Sequence, residues 1–95
     1  MNKIISYLGF AQKSNNCVSG QTALRKSNKH FSLIIVCETA SANLKNLAKN
    51  LANKHTCEYV VLNNLDELLH LKDIKIVGLT EENLSKAILS ELNRK

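Results

Sequence analysis

The chain has 95 residues, 44% of them hydrophobic and 22% charged, with no tryptophan, no proline and a net charge of +5. That length holds one hydrophobic core, so the sequence predicts a single domain over residues 1–95, and the balance of apolar and charged residues excludes disorder. No apolar run approaches the roughly 20 residues of a membrane span, and "MNKIISYLGFAQK" has neither a signal core nor a cleavage site, which predicts a cytoplasmic protein with no membrane partner.

Taken in chain order, "KIISYLGFAQ" sets Ile4, Ile5, Leu8 and Ala11 on one helical face and predicts a first helix that ends at the Ser14-Asn15-Asn16 turn cluster. A short strand at Cys17–Ser19 follows, then a helix from Gly20 to about Asn28. "FSLIIVC", 31–37, is a nearly continuous apolar run rich in Ile and Val, as expected of a strand covered on both faces. "SANLKNLAKNLANK" carries Leu44, Leu47, Ala48, Leu51 and Ala52 at helical spacing, with Lys45 and Lys49 facing outward and Ser41 as the N-cap. "EYVVLN" predicts a third strand. Asn64 followed by Glu67 resembles a capping box for a short helix "LDELLHL". "IKIVGL" predicts the last strand, and Thr80 is expected to cap a closing helix "EENLSKAILSELNRK" whose Leu84, Ala87, Ile88 and Leu92 share a face.

This alternation of helix and strand predicts an α/β fold, a three-layer α/β/α sandwich whose central mixed sheet of about four strands carries helices on both faces. No internal repeat and no low-complexity tract interrupts it.

The residues offer little for catalysis. Gly20 opens a helix after a strand, but the second glycine followed by Lys and Ser or Thr that a P-loop needs is missing, and Thr22 and Arg25 stand where a dinucleotide fingerprint needs glycine. Three cysteines without a C-x-x-C pair fit reduced thiols better than a disulfide framework or a zinc site, and Cys37 reads as a small core residue. His55 and Cys57 lie close together before a strand without partners for chemistry, and His30 and His70 each stand alone. Asp66-Glu67 and Glu81-Glu82 begin helices, where the helix dipole accounts for adjacent carboxylates. The sequence therefore predicts no enzyme, no metal and no cofactor.

Charge placement carries more. Every charged residue from Met1 to Cys37 is basic, namely Lys3, Lys13, Arg25, Lys26 and Lys29, whereas all eight acids follow Cys37 and are matched there by eight bases. A basic third either solubilises the protein or presents a field to a polyanion. The stretch "CVSGQTALRKSNKH" concentrates it. A helix N-terminus opened by glycine offers backbone N–H groups to phosphate, and Gln21, Thr22, Arg25 and Lys26 add donors over the next turns. These residues fit a docking surface or a solvated helix face with a glycine N-cap.

The order of elements, "YLGFAQKSNNCVSG", the glycine-opened helix with a lysine six residues on, "LIIVCETASAN" and "EYVVLNNLDEL" together resemble the L-seven-Ae-like family of ribosomal proteins that bind kink-turn RNA, and within it the small bacterial YlxQ-like members. The resemblance runs from about Ile4 to Leu92 and rests on order and spacing. It implies an α/β/α sandwich whose partner is structured RNA, a kink-turn or ribosomal RNA with tandem sheared G·A pairs, within a ribosome or another ribonucleoprotein; the size and polar surface of the chain make a monomer the default expectation. It implies that the Gly20 helix terminus enters the widened major groove and that Lys26 contacts guanine. The loop Glu38-Thr39-Ala40-Ser41 and the loop around Leu71-Lys72-Asp73 would flank the RNA. Taken with the donors and charges read from the residues themselves, the expected RNA-binding residues are Gly20, Gln21, Thr22, Arg25, Lys26, Lys13, Lys29, Glu38 and Lys72. Two departures stand out: Thr22-Ala23 replaces the Asn-Glu of strong RNA binders, and Ser14-Asn15-Asn16 replaces Ala-Gly-Lys, with Asn15 able to take the left-handed backbone of the glycine. They leave open a second expectation, a protein-interaction module of the same fold with weak RNA affinity.

Overall fold

Five consecutive apolar residues, Leu33–Cys37, form a strand buried along its whole length, and the rest of the molecule is arranged around it. The structure, a computed structural model, describes residues 3–62 and 74–93, apart from the side chains of Ile5 and Asn93. In chain order the described elements are α1 (Lys3–Lys13), β1 (Cys17–Ser19), α2 (Gln21–Lys26), β2 (Leu33–Cys37), α3 (Ala42–Lys54), β3 (Glu58–Leu62), β4 (Ile76–Leu79) and α4 (Glu82–Asn93). The expected helix "LDELLHL", its capping box, His70 and Lys72 lie outside the described residues.

The sheet is mixed, in the order β1-β4-β2-β3. β2 pairs in parallel with β3 and antiparallel with β4, and β4 pairs antiparallel with β1. Because side chains alternate along a strand, Leu33, Ile35, Cys37, Val77 and Leu79 face one layer, where they pack with Ile4, Leu8 and Ala11 of α1 and Ile88 of α4. Ile34, Val36 and Ile76 face the other, with Leu24 of α2, Phe31 and Ala48, Leu51 and Ala52 of α3. Two cores on opposite faces of one sheet make the α/β/α sandwich.

Gly78 decides how closely α2 approaches. It faces the α2 layer in the row Val18, Gly78, Ile34 across three strands. A Cβ there would lie 2.7 Å from Cδ2 of Leu24 and 2.8 Å from Cδ1 of Phe31. The missing side chain is the space that these two fill.

Helix ends follow local chemistry, with some changes from expectation. At the end of α1 the Asn15 N–H donates to the Gln12 carbonyl and the Asn16 N–H to that of Ala11, a Schellman closure with Asn15 at φ 61°. The short polar side chain thus takes the left-handed position expected of it. Thr56 does the same after α3 at φ 53°, an unfavourable place for a β-branched residue. α2 ends at Lys26 rather than near Asn28, because Ser27 is extended and its hydroxyl accepts from the Lys29 N–H at 3.1 Å, a local turn that competes with another helical turn. The cap of α4 is Glu81 rather than Thr80: its carboxylate accepts from the Leu84 N–H at 2.6 Å, and its carbonyl takes the first helical bond, from the Ser85 N–H at 3.1 Å. Strands β2 and β4 begin two residues later than the apolar runs suggested, although Phe31 is still fully buried. Ser41 caps α3 as expected, accepting from the Leu44 N–H at 3.2 Å. Replacing Ser41 with alanine is expected to cost about 1 kcal/mol in chemical denaturation; an unchanged midpoint would mean that water serves that amide as well.

Candidate nucleic-acid interface

α2 is short and is held to the body by one buried side chain, Leu24, beneath which Gly78 leaves room. Everything else that the helix carries in its outward half is free to face a partner: Gln21, Thr22, Arg25 and Lys26 are all exposed. Gln21 and Arg25, and likewise Thr22 and Lys26, are four residues apart and so lie one above the other on the helix surface. Lys26 sits in the last turn, one turn after Thr22 on the same side of the helix. Gly20, at φ 91° and ψ 150°, opens the helix without a side-chain cap, and its N–H donates to the Ile76 carbonyl.

That bond places the α2 terminus at the end of the sheet where β4 begins. β2 ends there too, since the Cys37 N–H donates to the Lys75 carbonyl at 2.7 Å and the Glu38 N–H to the Leu62 carbonyl at 2.9 Å. Three segments distant in sequence thus meet: Gly20-Gln21, the turn Glu38–Ser41, and Ile74-Lys75. Ile74 lies 3.8 Å from where a Gly20 Cβ would be. Glu38 and Thr39 are exposed in the turn. The Lys75 ammonium donates to the Thr39 hydroxyl at 2.9 Å, which links two of the three segments and sets a cation at this end. Lys75 was not among the residues singled out in the sequence, where it reads only as one polar position in an apolar run.

Lys13 and Lys29 do not join them. β1 carries the chain to the Gly20 end and α2 returns it, so Lys29 emerges at the opposite end of the sheet. There its ammonium donates to the Asn15 carbonyl at 3.3 Å, two residues past Lys13. The nine expected RNA-binding residues therefore separate into Gly20, Gln21, Thr22, Arg25 and Lys26 on α2 and its start, Glu38 at the same end of the sheet, Lys13 and Lys29 beyond the far end of β1, and Lys72 outside the described residues.

The far end of the sheet also holds a cleft of about 490 Å³ between the starts of β2, β3 and α4. Ser32 and Ser85 meet there with their hydroxyl oxygens 2.6 Å apart, and Ser85 is only 2% exposed. His30, which the sequence left standing alone, is exposed but meets His55 edge-on, with ring centroids 5.3 Å apart. His55 Nδ1 accepts from the Phe31 N–H at 3.4 Å, so its neutral form is the one that fits. Burial holds the His55 imidazole below the ordinary histidine range, with His30 and Lys54 adding to the shift. The unfolded chain then takes up a proton more readily than the folded one. This contribution to stability is complete above the unfolded histidine pKa of about 6.5 and is lost as pH falls through the lower folded value. Denaturation midpoints should therefore fall between pH 7.5 and 5.5, and less so in His55→Asn, whose side-chain oxygen can still accept from Phe31; equal slopes in both proteins would remove His55 as the cause.

Cys17, Cys37 and Cys57 are free thiols. Cys37 is buried in the core as expected, against the Thr39 hydroxyl. Burial pushes the Cys17 thiol up, offset in part by the Ser19 hydroxyl, and burial and then the Glu58 charge push up that of Cys57, so both stay protonated at neutral pH. Among the described residues no group of three or more His, Cys, Asp or Glu side chains could hold a metal ion, and no helix is long and apolar enough to cross a membrane.

Fold and surface together define an α/β/α sandwich that presents a short, basic, exposed helix beside two converging loops. A solved structure from Bacillus halodurans C, described as a protein with unknown function, matches it with a TM-score of 0.82 over 99% of this chain and 100% of its own, at 17% sequence identity. That likeness shows the fold. The sequence matches no family model and no curated protein.

Proposed function

We propose that this chain is a non-catalytic RNA-binding protein of the L-seven-Ae-like kind, which recognises kink-turn-like structured RNA through α2 and works within a ribosome or another ribonucleoprotein in the cytoplasm. The observation that carries the reading is the outward half of α2. Gln21, Thr22, Arg25 and Lys26 are exposed together and no acid lies on the helix, while the Glu38–Ser41 turn and Lys75 lie at the same end of the sheet as its N-terminus. Arg25 and Lys75 supply charge for phosphates, and Lys26 supplies the donor for a guanine edge, with Thr22 and Gln21 as secondary donors. A titration of a kink-turn duplex against the same duplex with its G·A pairs replaced by Watson–Crick pairs tests it. Preference for the kink-turn supports the reading; equal, weak and wholly salt-sensitive binding to both sinks it.

One observation favours a second reading, a protein-interaction module of the same fold. Edge strand β3 leaves Val61 47% and Tyr59 41% exposed, apolar surface that RNA phosphates would not cover. Co-purification of a protein partner after nuclease treatment, lost in Val61→Lys, separates this reading from the first.

A further inference from the structure

The outward stripe of α1 has the makings of a second nucleic-acid contact. Its inward stripe, Ile4, Leu8 and Ala11, is buried against the sheet. The opposite stripe, Lys3, Ser6, Phe10 and Lys13, is exposed at successive spacings of three, four and three residues, which keeps one line on a helix. Phe10 is 59% exposed, the most open large apolar side chain among the described residues. Lys13 follows it by one turn and Lys3 precedes it by two. Lys29 is brought in from the far side of α2 by its bond to the Asn15 carbonyl, just beyond the end of α1. No acid occurs anywhere in residues 1–37. On the neighbouring α4, Glu81 caps its own helix, Glu82 is paired with Lys86, and Glu91 is engaged in an interaction of its own.

We infer that this stripe binds single-stranded RNA, with an unpaired base stacked on Phe10 and its flanking phosphates neutralised by Lys13, Lys29 and Lys3. The chemistry selects that partner. An exposed ring on a convex helix offers a flat apolar face, and a base offers a matching face only when it is not already stacked within a duplex. Cations on both sides of the ring, with no acid among them, suit a polyanion better than a protein surface of mixed charge. The stripe explains Lys13 and Lys29, which the fold carries away from the α2 terminus. The inference rests on the RNA-binding reading for its class of partner but not for its site, since α1 and α2 lie on opposite faces of the sheet.

The test is an NMR titration of the full chain with a short oligouridylate, which is single-stranded and unstacked, beside a separate titration with the kink-turn duplex. Oligouridylate should move the Phe10 ring protons upfield and shift the amides of Ser6, Phe10 and Lys13 more than those of Gln21–Lys26. Phe10→Leu, which keeps apolar area but removes the π-face, should weaken oligouridylate binding by about tenfold, and Phe10→Tyr should keep it. Both variants are at an exposed helix position, so the fold is retained. Shifts confined to α2, or equal affinity in Phe10→Leu, would overturn the stacking site and leave the kink-turn reading standing. Oligouridylate binding at α1 without any kink-turn preference would uphold the stripe and remove the proposed α2 recognition. Line broadening without RNA that Phe10→Leu relieves would assign the face to a second copy of the chain and overturn the inference.

Discussion

Replacing Gly78 with alanine is expected to cost about 1–3 kcal/mol of folding stability, and with valine more, through overpacking of a filled core. The new Cβ would press on Cδ2 of Leu24 and on Cδ1 and Cε1 of Phe31 at 2.7, 2.8 and 2.9 Å. Both side chains are fully or almost fully buried, so neither can swing into solvent without losing its own contacts. Alanine would gain something in return, because it restricts the unfolded chain more than glycine does, but by only about 0.4–1 kcal/mol. The balance is destabilising. Since Leu24 is the buried anchor of α2, the strain also reaches the helix that carries Arg25 and Lys26. For a domain of this size each kcal/mol moves the thermal midpoint by roughly 4–8 °C, which a melting curve resolves, and amide exchange should rise in α2 before it rises in α3. An unchanged midpoint would mean that Phe31 has another place to go.

Lys26→Ala is the second change with a large expected effect, about 1–3 kcal/mol in affinity for a kink-turn duplex if the lysine reads guanine. Lys26 is exposed, so its loss should leave the melting temperature where it is, and any loss of binding belongs to the interface. Salt separates its role from that of its neighbour. A base-reading lysine removed should lower affinity while leaving the salt slope intact, and the mutant should also lose preference for G·A pairs over Watson–Crick pairs. Arg25→Ala, by contrast, should weaken all duplexes alike and reduce the slope of log K against log salt by about 0.9, the share of one phosphate contact. Titrations of both variants at two salt concentrations distinguish these patterns. Equal binding by Lys26→Ala and the parent chain would rule out this placement of the site.

Much of this architecture is legible in the order of residues because the signals are local. Leu33 through Cys37 are apolar without a break, and only a strand sandwiched between two layers accommodates that. The stripe Leu44, Ala48, Leu51 recurs at helical spacing, and Ser41 stands where the first N–H groups of that helix need an acceptor. Asn15 takes a left-handed backbone because its own short side chain tolerates it. In each case a residue and its neighbours within one turn settle the outcome. The helix ends are less legible, since single hydrogen bonds at Ser27 and Glu81 settle them in runs that hold more than one polar candidate.

The parts that escaped the sequence all depend on which distant segments become neighbours. Nothing near Gly78 says that Leu24 and Phe31 will occupy the space above it; that follows from β4 lying between β1 and β2. His30 meets His55, and Lys75 meets Thr39, only after α3 and the sheet are in place. The same closure sends Lys13 and Lys29 to one end of the molecule and Gly20 to the other, although they are close in the chain. Residue order thus settled the described elements, their buried faces and the basic first third, because those are set by side-chain period and charge. The distribution of that charge into an α2 face and an α1 stripe was settled by sheet order and chain reversal, which arise from packing between segments far apart in sequence.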